Sequence, residues 1–243
     1  MSLEEYRRKR VFSKTPEPEP ELAEQKENRF FIQRHSARRL HYDLRLEMDG
    51  VLKSWALPQG PTLDPEMKRL AVHVEDHPLD YGNFEGTIPA GNYGAGKVTL
   101  WDRGTYEWLG EKSPEQQYKG GDLKLRFHGQ KLVGEFALVR TNRSKGKDWL
   151  LIKKKDDDVV PGYDIEKYDY SVLTKRSLDE IAGDEGAREW ESNRPAATSS
   201  SSGKNAWLAD SVAKLRKAKK KALTRRAPTQ RTRRTQRKKK KAA

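Results

Sequence analysis

Eleven consecutive residues, His35-Ser36-Ala37-Arg38-Arg39-Leu40-His41-Tyr42-Asp43-Leu44-Arg45, bring together two imidazoles, a carboxylate and a guanidinium. The run from Leu40 to Met48 alternates, which predicts a β-strand. Alternate side chains of a strand share a face. His41, Asp43 and Arg45 therefore project together, while Tyr42, Leu44 and Leu46 project to the apolar side. His35 precedes the strand and can fold back from a loop. Two neutral imidazoles and a carboxylate suit a divalent transition metal such as Mn, Fe or Zn. An adjacent Arg suits a phosphate. The same pattern also fits a strand face of ordinary polar residues joined by a His–Asp hydrogen bond.

A second group lies between Ala71 and Tyr81. His73, Glu75 and His77 have one strand parity, Val72 and Val74 the other, and Arg69 joins the first set if the strand starts early. Pro78 is expected to end the strand. His73 reads as a solvated strand residue, and Glu75 equally as a salt-bridge partner of Arg69 or Arg45. Gly91-Asn92-Tyr93-Gly94-Ala95-Gly96-Lys97 satisfies seven positions of a phosphate-binding loop. The eighth is Val98, so the metal-binding hydroxyl is missing, and a strand follows where a helix is required. These glycines are read as serving turns.

The elements that must position these groups are short strands. Arg29–Gln33, Leu40–Met48, Val51–Leu57, Leu70–Glu75, Lys97–Trp101, Asp122–Phe127, Lys131–Arg140 and Trp149–Lys153 are each apolar or alternating. Asp49-Gly50 joins the second and third as a tight hairpin. Eight strands with Gly/Pro turns predict an all-β protein: a compact, closed or partly open antiparallel β-barrel. Gly86–Ala90 reads as turn. Helix is scarce before Ser177, where Ser177-Leu178-Asp179-Glu180 resembles a capping box. Ala213–Leu223 could form a basic helix.

Charge divides the chain. The 243 residues carry +14, but Gly203–Ala243 holds 17 Lys/Arg against one acid, Asp210, leaving 33 bases and 35 acids before it. We therefore expect a proline-rich, disordered N-terminal arm (1–28), a barrel (29–155), an extension and linker (156–202) and a disordered basic tail (203–243). The tail clusters Lys219, Lys220, Lys221, Arg225, Arg226, Arg233, Arg234, Lys238, Lys239 and Lys240 suit nonspecific nucleic-acid binding. A solvated end or a membrane-surface segment are the competing readings, and apolar residues are too sparse there for a membrane face. Cysteine is absent, which excludes disulfides and thiolate metal sites. No apolar run approaches a membrane span and the N-terminus lacks a signal-peptide core. A cytoplasmic, nucleoid-associated protein is the expectation.

One resemblance covers Tyr6 to Lys154, and loosely extends to Ala182. Phe31-Ile32-Gln33-Arg34-His35, Asp43-Leu44-Arg45-Leu46-Glu47, Leu52-Lys53-Ser54-Trp55-Ala56, Val74-Glu75-Asp76-His77-Pro78-Leu79-Asp80-Tyr81, Phe84-Glu85-Gly86-Thr87-Ile88-Pro89 and Trp101-Asp102-Arg103-Gly104 resemble, in order, the 3′-phosphoesterase domain of bacterial DNA ligase D. The resemblance implies a β-barrel with a metal site in a cleft. It implies removal of 3′-terminal ribonucleotides and 3′-phosphates from DNA, with Mn²⁺ favoured and other divalent transition metals possible. Carried over by motif, His35, His41 and Asp43 would hold the metal. Arg45 and His77 would hold the scissile phosphate, supported by Arg69, Glu75 and Tyr81. Arg10 and Glu17 would also reach the site, folding the proline-rich arm over the cleft. Gln59 stands where the family typically has a Lys, and Val11 where it usually has an Asp. The ligase motif Lys-x-Asp-Gly-x-Arg is absent, so the expectation is a stand-alone phosphoesterase acting beside separate ligase, polymerase and end-binding repair proteins. A non-catalytic DNA-end-binding module and a phosphoesterase of RNA ends or small phosphate esters are the alternatives.

Overall fold

The computed structural model describes residues 3–22 and 27–182. The basic tail clusters and the Ala213–Leu223 helix expected from the sequence lie outside the described residues. Nine strands form one antiparallel sheet: β1 (Arg29–Ser36), β2 (Leu40–Met48), β3 (Val51–Leu57), β4 (Arg69–His73), β5 (Gly86–Ile88), β6 (Gly96–Trp108), β7 (Asp122–His128), β8 (Val133–Arg140) and β9 (Asp148–Lys153). The order β1-β2-β3-β4-β9-β8-β7-β6-β5, with β6 also pairing β1, closes eight strands into a barrel. β5 hangs on the outside of β6. Closure gives each of those eight strands a partner on both sides.

Alternation then sorts the side chains. Phe30, Ile32, Leu44, Leu46, Trp55, Leu57 and Trp101 face inward and are almost fully buried. Each such side chain is worth roughly 1.5–3 kcal/mol of burial. The β2–β3 turn is made by Asp49 (φ 54°) and Gly50 (φ 77°), the two positive φ values of a type I′ turn. That turn fixes the register, setting Asp43 opposite Ala56 and Arg45 opposite Ser54.

A second apolar cluster lies on the outer face. Phe31, Leu52 and Leu100 of the barrel meet Tyr6, Leu79, Tyr81 and Val172. Over its described residues 3–22 the N-terminal arm is thus ordered where disorder was expected. Helix α1 (Glu4–Arg8) delivers a fully buried Tyr6, whose hydroxyl donates to Pro18 O at 2.8 Å. A proline-rich segment cannot bury a core alone, but a preformed barrel face gives it one.

The segment beyond residue 155 also packs. Tyr163 and Ile165 enter the barrel core, and Val172 N donates to Leu100 O at 2.9 Å. Glu166 pairs with Arg34 at 3.0 Å. The compact unit therefore reaches Ala182 and does not end at 155. Helix α3 (Leu178–Ala182) opens with the expected reciprocal bonds: Glu180 N donates to Ser177 Oγ and Ser177 N to Glu180 Oε2. One element differs from expectation, and one short helix was not delimited in advance. Gly86–Ile88, expected to be turn, pairs with β6, because three residues are too few for a periodic signal. Helix α2 (Pro114–Gly120) precedes Ser177 and is announced by a Ser113/Gln116 capping box, Pro114 at its first turn and a left-handed Gly121.

Candidate metal centre

β1 extends to Ser36, so His35 lies on a strand and not in a loop, directly opposite His41. Both imidazoles and Asp43 share the outer face. Among the described residues they form a group whose three ligand atoms lie within 4.8 Å of one another. His35 Nδ1 is 3.6 Å from Asp43 Oδ2, and His41 Nε2 is 3.7 Å from Asp43 Oδ1.

The remaining ring nitrogens are anchored by carbonyls. His35 Nε2 donates to Gly94 O at 2.8 Å and His41 Nδ1 donates to Arg39 O at 2.9 Å. A carbonyl only accepts, so those nitrogens carry the protons. Both lone pairs then turn toward the Asp43 carboxylate, the arrangement that outer hydrogen bonds impose on metal-binding histidines. Burial pushes the Asp43 carboxyl up, but the Arg45 guanidinium beside it outweighs burial and holds it well below the usual carboxylate range. Burial lowers His41 below its ordinary 6.5. Asp43 and His41 are thus both biased toward the deprotonated form a divalent ion requires.

Arg45, two positions along β2, is buried behind this group. Its Nε donates to Gln33 Oε1 (2.7 Å), Nη1 to Ser54 Oγ (2.9 Å) and Nη2 to Asp43 Oδ2 (3.3 Å). Its guanidinium lies 4.6 Å from the Tyr81 ring centre. Gln33 and Ser54 were not singled out in the sequence. Both are cross-strand neighbours on the same face as Asp43 and Arg45, so the hairpin register was the signal that could have found them.

His77 arrives by a different route from the one its parity suggested. β4 ends at His73. Val74 N still bonds Ser54 O, but His77 pairs with Leu52, one residue later than an even ladder would place it. The extra residue is a bulge, and it moves His77 to the outer face. There His77 Nδ1 donates to Glu75 O at 2.9 Å and lies 3.3 Å from Ser54 Oγ. Its Nε2 lone pair faces Arg10 Nη2 at 3.5 Å. Burial, then Arg45 and Arg10, lower its pKa well below 6.5. Tyr6 and Tyr81 flank the ring at 5.1 and 4.8 Å between centroids.

The arm completes the site. Arg10 Nε donates to Glu17 Oε1 at 2.8 Å, and its guanidinium stacks 3.8 Å from the Tyr6 ring centre. Glu75 pairs with Lys9 (3.0 Å) and Arg10 (3.7 Å), and not with Arg69 or Arg45. Three cations (Lys9, Arg10, Arg45) thus balance three carboxylates (Glu17, Asp43, Glu75).

Two residues stand apart. Arg69 has the inward parity and donates to Gln59 Oε1 at 3.1 Å and toward Met67, so the structure does not group it with His77 and Arg45. His73 is half-buried, not fully solvated: it packs 5.3 Å from Trp55, and its Nε2 lies 3.0 Å from Tyr118 Oη.

Comparison with known proteins yields one family. Residues 33–140 match the DNA ligase D 3′-phosphoesterase domain. The chain is 46% identical over 224 residues to the multifunctional non-homologous end joining protein LigD of Pseudomonas aeruginosa, covering 88% of this chain and 26% of that protein. It is 47% identical over 166 residues to the LigD of Mycobacterium bovis, covering 67% of this chain and 21% of that protein. The Mycolicibacterium smegmatis LigD is 47% identical over 160 residues, 63% of this chain and 21% of that protein. The chain thus spans about a quarter of the length of these relatives or less.

Proposed function

This chain carries a DNA ligase D 3′-phosphoesterase domain, and from that premise we propose that it heals DNA 3′ ends for double-strand break repair by non-homologous end joining. The reaction is hydrolysis of a phosphodiester to release a 3′-terminal ribonucleoside and leave a 3′-phosphate. Hydrolysis of that monoester then gives a 3′-hydroxyl and inorganic phosphate. The observation that carries the reading is the Asp43 carboxylate. Two imidazole lone pairs face it from one side and the Arg45 guanidinium bonds it from the other.

His35, His41 and Asp43 would hold a divalent ion, with Mn²⁺ the proposed one. When bound it would neutralise phosphate charge and acidify water. The chain's own residues do the rest. Arg45 and Arg10 offer fixed positive charge to a phosphate oxygen in a water-poor site, where such charge counts most. Gln33, Ser54 and Tyr81 hold Arg45 in one geometry. His77 is a neutral imidazole whose Nδ1 proton is already given to Glu75 O, so its Nε2 acts as an acceptor and not as a general acid. Partner ligase, polymerase and end-binding proteins, and a cytoplasmic location, belong to the same proposal.

The test is a labelled primer–template ending in one ribonucleotide, incubated with and without Mn²⁺. Loss of one nucleotide, a 3′-phosphate intermediate and a final 3′-hydroxyl, all requiring the ion, are expected. Bound but unaltered DNA would instead indicate a non-catalytic end-binding module. Faster cleavage of all-RNA ends would redirect the substrate class.

A further inference from the structure

The proton on His35 Nε2 depends on a single carbonyl, Gly94 O, 2.8 Å away. That carbonyl sits in the loop between β5 and β6, a segment poorly suited to hold anything still. Gly91, Gly94 and Gly96 all have positive φ (89°, 77° and 149°). The turn bonds are long, Asn92 N to Pro89 O at 3.2 Å and Ala95 N to Asn92 O at 3.3 Å. A glycine-rich loop has more conformational freedom to lose than any other. Something outside the loop must hold it.

The grip falls on Tyr93, the residue before Gly94. Lys9 Nζ, from the N-terminal arm, lies 4.6 Å from the Tyr93 ring centre and 3.5 Å from its hydroxyl. Arg10 adds a second cation 5.7 Å from that ring. Lys9 is fixed in turn by Glu75 at 3.0 Å and Glu5 at 3.1 Å. The ammonium is therefore held at both ends, by the arm helix and by the segment carrying His77. A cation over an aromatic face contributes about 0.5–2 kcal/mol, more when water is excluded.

We infer that Lys9 and Tyr93 form a latch through which the docked N-terminal arm positions the metal site. The arm holds Tyr93, Tyr93 holds the Gly94 carbonyl, and that carbonyl keeps the His35 lone pair on Nδ1, facing Asp43. Lys9 and Tyr93 are positioning residues and touch neither metal nor phosphate. The inference rests on the proposed metal centre.

The experiment uses the full chain and two readouts besides activity. Mn²⁺ affinity is measured by electron paramagnetic resonance of the free ion. The His35 tautomer in metal-free protein is read by long-range ¹H–¹⁵N NMR at a pH where the imidazoles are neutral. Tyr93→Leu and Lys9→Met should each weaken Mn²⁺ binding about fivefold, the equivalent of about 1 kcal/mol. Both should turn the single Nε2–H tautomer of His35 into a mixture. Tyr93→Phe keeps the ring and should retain wild-type affinity and tautomer, which a general loss of folding would not allow. Wild-type affinity and an unchanged tautomer in Tyr93→Leu would overturn the latch. His41→Ala is the control for the metal centre itself: if it binds Mn²⁺ as wild type does, the metal reading fails, and the tautomer still decides the latch.

Discussion

His77 and Leu52 exchange both main-chain hydrogen bonds, at 2.8 and 3.0 Å, one residue out of step with the pairing of Trp55 and His73. Through that one inserted residue His77 leaves the face of Trp55 and joins Ser54 and Arg45. Without it the imidazole would point toward the barrel interior.

Removal of His41 should abolish the metal site and leave the barrel intact. His41 is only partly buried at a hairpin end, so truncation opens little cavity. Mn²⁺-dependent turnover in His41→Ala is expected to fall by more than about 100-fold, the upper end for losing even an outer partner of a ligand. Circular dichroism and turnover measured side by side check this; wild-type turnover would remove the ligand assignment.

Arg45→Ala should separate phosphate handling from metal holding. Arg45 carries no lone pair for a metal at neutral pH, so Mn²⁺ binding should persist while turnover is lost. The variant also leaves Gln33, Ser54 and Asp43 without their buried partner, costing about 3 kcal/mol of stability. Urea unfolding reads the stability loss and Mn²⁺ titration the retained site; a variant that no longer binds the ion would contradict the division of roles.

Acidification should destabilise the metal-free chain. Burial holds His41, His73 and His77 below the ordinary 6.5. Below that value the unfolded chain binds protons that the folded chain does not, so folding stability decreases as pH falls. Melting temperature should therefore drop from pH 7 to pH 5, less steeply in His73→Gln. A flat profile in both proteins would show that these rings titrate normally.

The segment 156–182 should prove part of the folding unit. A chain ending at Ala182 should unfold cooperatively. One ending at Lys155 loses Tyr163, Ile165 and Val172 from two cores, on the order of 5 kcal/mol, comparable to a whole domain's stability. Equal urea midpoints for the two chains would disprove the packing.

Truncation after Ser202 should weaken DNA binding at low salt and flatten its salt dependence, because the 17 Lys/Arg of residues 203–243 would bind phosphates without reading bases. Turnover at saturating short substrate should hardly change. Unaltered low-salt affinity would make the tail an inert solubilising end.

Much of the fold was legible locally. β2 and β3 were delimited by alternation and by the Asp49-Gly50 turn, because a two-residue hairpin fixes its own register. Alternation within β2 alone put His41, Asp43 and Arg45 on one face. The resemblance added Arg10 and Glu17 and gave His77 its role, and the contacts among these residues span up to 67 positions. What the sequence could not give depends on partners distant in the chain. The bulge before His77 has no signature in a parity count, since it exists only against the Leu52 ladder. The order of the arm needed the barrel face under Tyr6, which forms only once β1, β3 and β6 come together. His73 was read as a solvated strand residue and is half-buried because Trp55 and Tyr118 pack against it. Local patterning determines which faces are polar; the closing of the barrel decides which distant residues meet on them, because only then is water removed from between them.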